Sequence, residues 1–236
     1  MKIALLGFGK MGQLIGQLAT TRGHQVVLVI GAENSHDLTI DALQKADVAI
    51  EFSAPEVAAR HIQLCLDAGV PVVVGTTGWY DVYDELADLA KAKQGALLTA
   101  TNFSLGVNLF FALSQWMGAA MADHPAYHVR IDETHHVHKK DAPSGTAITI
   151  AERLLEHLNL KGWSLNGTMD NSLPVFAHRS DEVPGTHEVR FSSAEDDIVL
   201  SHIAHNRNGF ASGAVLAAEW LVKKQGVFTM KDVLGL

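Results

Sequence analysis

The fold is decided by the stretch Lys2-Ile-Ala-Leu-Leu-Gly-Phe-Gly-Lys-Met-Gly12 near the start of the chain. Its first half is a short apolar run that suits a buried parallel strand. Three glycines follow with GxGxxG spacing, and helical composition continues from 13 to 21. The first glycine permits a tight turn, the second lets a pyrophosphate approach the backbone, and the third lets helix and strand pack closely. The alternative is a glycine turn that holds no ligand.

Strands and helices alternate through the rest of the first hundred residues. This spacing is typical of a doubly wound parallel sheet, which makes the N-terminal part an α/β, Rossmann-like domain. Valine-rich and apolar runs predict strands at 24–30, 46–52, 70–74 and 96–100, and helices at about 55–68 and 80–93.

The pattern changes after Phe103, where a long apolar helix to about residue 121 leads into a second domain. There we expect an α+β substrate and oligomerisation domain with a mixed or antiparallel sheet. Its predicted elements are strands near 127–133, 175–179, 187–192 and 198–204, a helix at 146–157 and a loop through 170. A final helix at 209–223 and a tail at 226–236 are expected to pack back onto the first domain. The expected domains are 1–104, 105–208 and 209–236.

Composition narrows the class of protein. Of the 236 residues 47% are hydrophobic, enough for a substantial core, and the formal net charge of -8 argues against a general nucleic-acid or membrane-surface binder. The single cysteine, Cys65, rules out an internal disulfide and is expected to be a buried core thiol in a reducing compartment. With no signal-peptide pattern and no bilayer-length apolar run, we expect a soluble cytoplasmic protein.

Small and hydroxyl residues follow several of the predicted strands. The carboxyl ends of parallel strands form the edge where such sheets bind ligands, so these residues suit a nicotinamide dinucleotide. Ordinary turn chemistry is the alternative for each segment. Glu33 is the candidate for the adenosine ribose and Lys10 for a 2′-phosphate, so NADH and NADPH both stay open. The expected cofactor-binding residues are Gly7, Phe8, Gly9, Lys10, Met11, Gly12, Glu33, Phe52, Ser53, Gly75, Thr76, Thr77, Ala100, Thr101, Asn102 and Phe103.

The densest basic cluster is Glu133-Thr-His-His-Val-His-Lys-Lys-Asp-Ala-Pro-Ser-Gly-Thr-Ala147. If its start is extended, His135 and His136 face opposite sides of a strand. Ser144 is a plausible helix N-cap, which leaves the next backbone N–H groups free for a carboxylate or phosphate. We therefore predict a proton donor beside an anion clamp that the N–H groups of Gly145 and Thr146 form.

Three other interpretations of this cluster stay open. His135, His136 and His138 could bind a metal, although their spacing matches no common zinc signature and lysines crowd them; we expect no metal. The cluster could be a solvated basic face. Ser144 could be a nucleophile, but no G-x-S-x-G elbow surrounds it.

In these motifs the sequence resembles the 4-hydroxy-tetrahydrodipicolinate reductase family, also called dihydrodipicolinate reductase, and the resemblance covers essentially its whole length. The resemblance implies a two-domain NAD(P)H-dependent enzyme of the diaminopimelate and lysine pathway, usually a tetramer formed through the second domain's sheet. It implies that His135 is the proton donor and that Lys139 is a second catalytic group, which also contacts the substrate. The expected substrate-binding residues are His136, Lys139, Ser144, Gly145 and Thr146. One departure is Gly31, where similar members often carry an acid. The segments that carry the resemblance are Gly7–Gly12, Glu51–Glu56, Val74–Gly78, Asn102–Asn108, His135–Thr146 and Pro184–His187.

Two other functions compete with this hypothesis. An amino-acid dehydrogenase of related architecture would need a different proton relay. A nucleotide-sensing regulator that binds NAD(H) without chemistry would not need the histidine, the lysine and the anion clamp together. The sequence leaves open whether the chain also catalyses the preceding dehydration.

Overall fold

The computed structural model describes all residues from Met1 to Leu236, in two compact units. The first consists of Met1–Leu105 together with Asn208–Leu236, and the second of Gly106–Arg207. No helix in either is long and apolar enough to cross a membrane.

The first unit is built on a six-stranded parallel sheet. Its strands, numbered along the whole chain, are β1 Lys2–Leu6, β2 Gln25–Ile30, β3 Val48–Glu51, β4 Val72–Val74, β5 Ala96–Thr99 and β11 Gly226–Phe228. Their order in the sheet is β11-β5-β4-β3-β1-β2. Its helices are α1 Lys10–Thr21, α2 Ile40–Leu43, α3 Pro55–Asp67, α4 Tyr83–Ala92, α7 Asn208–Leu221 and α8 Met230–Leu234.

The two faces of this sheet bury separate apolar cores. Ala4 and Leu6 of β1 pack with the α3 residues Ile62 and Cys65 on one face. Ile3 and Leu5 point the other way and pack with Ile15 of α1 and with α7. Apolar residues in succession along β1 therefore serve both faces, as a sheet covered on both sides requires. This confirms the doubly wound prediction and the assignment of Cys65 as a buried thiol, whose pKa burial raises.

The second unit contains a five-stranded mixed sheet. Its order is β10-β9-β6-β8-β7, in which β6 pairs parallel with β8 and antiparallel with β9. Ile131, Val189 and Phe191 of the sheet pack against Phe110 and Leu154 from two helices. The elements are α5 Leu105–Met121, β6 His128–His135, α6 Gly145–Leu155, β7 Trp163–Leu165, β8 Leu173–Arg179, β9 Thr186–Ser192 and β10 Asp197–Ile203.

Two short strands differ from the sequence-based expectation. The predicted loop before residue 170 contains β7, which pairs with β8. The tail contributes β11, which pairs with β5 as a sixth strand of the first sheet. Each has only three residues, too few for a two-residue period to be recognised, and each depends on a partner strand for its hydrogen bonds.

Candidate active site

The glycine-rich turn is shaped by close backbone contacts. Gly7 has a φ of +98°, and a Cβ there would lie 2.1 Å from the carbonyl oxygen of Phe52. A Cβ on Gly12 would lie 2.0 Å from the carbonyl oxygen of Gly7. By contrast, nothing lies within 4 Å of a Cβ on Gly9, the N-cap of α1, which has no side-chain capping bond. The N-cap position is therefore open, and the first N–H groups of α1 have no side-chain cap, which fits a pyrophosphate.

Three further loops at the carboxyl edge of the first sheet contact one another. The Ser53 N–H donates to Thr76 Oγ1 at 2.8 Å. The rings of Phe52 and Phe103 lie 5.5 Å apart, and a Cβ on Gly75 would lie 2.2 Å from the Phe52 ring. The structure thus brings Gly7–Gly12, Phe52, Ser53, Gly75 to Thr77 and Ala100 to Phe103 to one edge.

Glu33 is not part of this contact network. It lies exposed in the turn after β2. The end of that strand is instead held by Asn34, which the sequence analysis did not single out. Asn34 Oδ1 accepts from the Gly31 N–H at 2.7 Å, and its Nδ2 donates to the Val29 carbonyl at 2.9 Å. Gly31 therefore contributes only its backbone to this turn.

The second group of predicted residues is built on β6 and the start of α6. Strand alternation buries Glu133 and His135 on one face of β6. Ser144 caps α6, because its Oγ accepts from the Ala147 N–H at 3.2 Å. Gly145 is exposed, and a Cβ there would meet nothing within 4 Å. The helix begins with an open end beside a buried imidazole.

Glu133 is the centre of this cluster, although the sequence analysis gave it no role. Its Oε1 accepts from the Ser144 N–H at 3.0 Å and from the Arg179 guanidinium at 3.4 Å. Its Oε2 lies 3.2 Å from His135 Nδ1 and 3.8 Å from His187 Nε2. One fully buried carboxylate therefore joins β6, β8, β9 and the cap of α6.

The charge states of the buried groups follow from these contacts. Burial alone would raise the pKa of Glu133, but the close contact with His135 and the hydrogen bond from Ser144 outweigh it and lower the pKa to about 2. Burial, assisted by the charge of His135, lowers the pKa of His187 to about 4. Near neutral pH the cluster therefore contains a carboxylate and a neutral His187.

Lys139 lies in the loop between β6 and α6. Its Nζ is 2.8 Å from both carboxylate oxygens of Asp141, and this hydrogen bond lowers the pKa of Asp141. Arg179 fixes the same loop by donating to the Lys139 carbonyl at 3.4 Å and to the Asp141 carbonyl at 2.6 Å. The loop thus presents an ammonium group that already pairs with a carboxylate.

The predicted histidines separate into buried and exposed groups. His135 is buried, His136 is half-buried just after the strand, and His138 is exposed. The groups that could hold a metal are Glu133, His135 and His187, whose ligand atoms lie within 4.8 Å of one another. This set differs from the three neighbouring histidines considered from the sequence. Arg179 already places a positive charge against its carboxylate.

The residues that sequence reasoning missed differ in how they could have been found. Glu133 stands two positions before His135 on a strand, so alternation alone places both on one face. Arg179 is brought to the cluster by its register opposite His135 in the parallel pair of β6 and β8. No local pattern encodes that pairing. His187 was noticed only as part of the segment Pro184–His187.

Together, the parallel sheet with an open glycine turn and the buried imidazole beside cationic groups define a dinucleotide-dependent oxidoreductase that takes an anionic substrate. Comparison with known proteins makes the class specific. The family model described as "Dihydrodipicolinate reductase, N-terminus" matches residues 1–103, and the one described as "Dihydrodipicolinate reductase, C-terminus" matches residues 106–234. The chain belongs to the dihydrodipicolinate reductase family.

Individual relatives agree with this assignment. The chain is 46% identical to a 4-hydroxy-tetrahydrodipicolinate reductase of Christiangramia forsetii, with 100% of this chain and 98% of that protein covered. It is 36% identical to a protein of the same name from Methanoregula boonei, with the same coverage. The fold is similar to that of a dipicolinate-bound dihydrodipicolinate reductase from Paenisporosarcina sp. TG-14, with a TM-score of 0.82, 23% identity and 98% of each chain covered.

Proposed function

We propose that this protein reduces 4-hydroxy-tetrahydrodipicolinate to tetrahydrodipicolinate with NADH or NADPH, in the diaminopimelate pathway of lysine biosynthesis. Family membership over both domains supports this activity. The observation that carries it is the buried pair of Glu133 and His135 beside Lys139 and the open start of α6. This combination favours the reductase over a nucleotide sensor, which needs no proton donor, and over an amino-acid dehydrogenase.

The first unit binds the cofactor, and the second unit binds the substrate. A bound nicotinamide supplies the hydride, and the protein supplies orientation and charge. The N–H groups at the start of α1 bind the pyrophosphate. The loops after β3, β4 and β5 line the nicotinamide half, through Phe52, Ser53, Gly75, Thr76, Thr77, Ala100, Thr101, Asn102 and Phe103. Glu33 remains our candidate for the ribose.

The substrate is a small ring with two carboxylates. The N–H groups of Gly145 and Thr146 bind one carboxylate, because they begin α6, where the helix dipole favours an anion. Lys139 binds the substrate by charge, in exchange for or in addition to Asp141. His136 and Ser144 complete the contacts.

His135 supplies the proton. After loss of water the ring contains a conjugated carbon–carbon double bond, of which one carbon receives the hydride and the other the proton. The imidazolium of His135, or a water that it polarises, donates that proton, and the ionised Glu133 stabilises the charged ring beforehand.

We also propose that the enzyme is a cytoplasmic homotetramer. β10 is an edge strand of the second sheet, and its side chains Ile198, Val199 and Ile203 are exposed. Apolar residues on an exposed edge are typical of a surface that pairs with another chain. Light scattering in solution measures the mass; a monomer at micromolar concentration contradicts this part of the proposal.

The experiment is a spectrophotometric assay of NADH and NADPH oxidation with freshly generated substrate. His135→Gln and Lys139→Ala should each lower kcat/KM by about 100-fold or more, because the first removes the proton donor and the second removes a cation that binds the anionic substrate. The control is His138→Gln, which removes an exposed imidazole of the same motif. Turnover close to that of the unmodified protein in both variants would refute the assignment.

A further inference from the structure

The two oxygens of Glu133 have separate partners. Oε1 accepts from the backbone N–H of Ser144 and from the Arg179 guanidinium, which itself donates to three backbone carbonyls. These contacts prevent the carboxylate from turning. Oε2 has no partner of regular hydrogen-bond geometry, and neither has the buried His135 Nδ1 that lies 3.2 Å from it.

These two atoms complement each other chemically. A carboxylate oxygen can only accept, and an imidazole nitrogen that faces it is favoured as the donor. The proton of neutral His135 therefore resides on Nδ1, which leaves Nε2 with its lone pair. When the ring is charged, Nε2 carries the transferable proton while Nδ1–H still faces the Glu133 carboxylate.

The space beside Nε2 depends on a glycine. Gly185 lies beside it with a φ of +156°, and a Cβ at that position would be only 3.1 Å from Nε2. The other titratable or charged groups around His135 are His187 on β9, Arg179 at the end of β8 and Lys139 in the following loop. The ion pair of His135 is the one between its Nδ1 and Glu133 Oε2.

We propose that Glu133 is a positioning residue: it fixes the Nδ1–H form of His135 and stabilises its imidazolium, so that Nε2 delivers the proton past Gly185. This inference rests on the proposed role of His135. The arrangement uses the same division of tasks as the aspartate–histidine pair of a catalytic triad, in which the carboxylate sets tautomer and orientation.

The test is Glu133→Gln, which keeps the size of the side chain and removes its charge. We expect kcat to fall about 10- to 100-fold, with less than about a 3-fold change in the KM values for substrate and NADH. The alkaline limb of the plot of kcat against pH should move to lower pH, because the imidazolium loses its anion. Glu133→Asp should recover part of the rate. Assays contain EDTA, which removes any metal bound by the same groups.

A double-mutant cycle separates positioning from general damage. If Glu133 acts through His135, then the double variant with His135→Gln is no slower than His135→Gln alone. The matched control is Asp132→Asn, which changes the neighbouring acid on the opposite face of β6. Multiplicative losses in the double variant, or an unchanged pH profile in Glu133→Gln, overturn the proposal.

A measurement on the unmodified protein covers the case in which these variants do not fold. Nitrogen-15 NMR of the histidine rings reports directly which nitrogen of His135 carries the proton. An Nε2–H form would overturn the positioning role. Full activity in His135→Gln would refute the proposed function itself, whereas an inactive His135→Gln with an unimpaired Glu133→Gln would refute only the role of Glu133.

Discussion

Two buried glutamates, one in each unit, invite comparison. Glu51 ends β3 and Glu133 lies near the end of β6, and both are fully buried. Each contacts the residue two positions ahead: Ser53 donates its Oγ and N–H to Glu51, and His135 faces Glu133. Each also has a histidine from another element within 4 Å, His61 for Glu51 and His187 for Glu133.

The difference lies in what else touches the carboxylate. His61 is the only ion-pair partner of Glu51. Glu51 also accepts hydrogen bonds from Ser53, which begins one of the loops at the cofactor-binding edge of the sheet. Glu133 additionally contacts Arg179, and the residue it faces is titratable. The same strand spacing therefore anchors a loop in one unit and orients an imidazole in the other. The role of a buried carboxylate therefore depends on the side chains that contact it.

The largest effect that tests this comparison is expected at Gly7, which packs against the loop that Glu51 anchors. Gly7→Ala should weaken NADH binding by more than about 10-fold, because the new Cβ would overlap the Phe52 carbonyl and displace that loop. Gly69→Ala is the matched control: it also has a positive φ, but its Cβ would meet nothing within 4 Å. Fluorescence titration with NADH measures the dissociation constant of each variant. An unchanged affinity in Gly7→Ala would show that the loop is not constrained as described.

The second effect is a pH dependence of stability that originates in the Glu133 cluster. Because folding lowers the pKa of His187 to about 4, its contribution is complete above about pH 6.5 and is lost as the pH falls toward 4. Glu133 behaves likewise between about pH 4.5 and 2. We expect the free energy of unfolding to fall by on the order of 3 kcal/mol from about pH 7.5 to 4 through His187.

Urea unfolding at a series of pH values measures this dependence. His187→Gln should flatten the curve between about pH 6.5 and 4, whereas His138→Gln, on the exposed loop, serves as the control. A curve for His187→Gln that is parallel to that of the unmodified protein would contradict the assignment.

The smallest effects distinguish the two serines that bond these glutamates. Ser144→Ala removes the N-cap of α6 and should lower the free energy of unfolding by about 1 kcal/mol. It should raise KM for the dicarboxylate a few-fold without affecting NADH. Ser53→Ala should instead raise Kd for NADH a few-fold without affecting KM for the dicarboxylate. If both variants affect the same ligand, then the Glu51 residues do not serve cofactor binding, and the Glu133 residues substrate binding, as two separate groups.

The sequence predicts the parts of this molecule that depend on local pattern. Apolar runs and glycine spacing were sufficient for the doubly wound sheet, and the basic motif was sufficient for the family. Strand alternation correctly places Glu133 and His135 on one face of β6, but His136 lies just after the strand, so its expected position on the opposite face stays a prediction. Ser144 was predicted as an N-cap, and its Oγ accepts from the Ala147 N–H.

The parts that could not be predicted depend on pairing across the chain. The contact of Arg179 with Glu133 follows from the parallel register of β6 and β8, which are separated by α6 and β7. Asn34 holds the backbone at Val29 and Gly31, and only the folded turn shows these two hydrogen bonds. The strands β7 and β11 are too short to have a recognisable period.

The last strand of the first sheet has a consequence for biosynthesis. β11 and α7 belong to the nucleotide-binding unit, but the whole of Gly106–Arg207 is translated before them. While the ribosome makes that insert, β5 is an open edge, and the apolar face of the sheet that α7 will cover lacks that helix. The nascent chain thus exposes a pairing edge and an apolar face until its final segment emerges, which is when chaperone protection matters most.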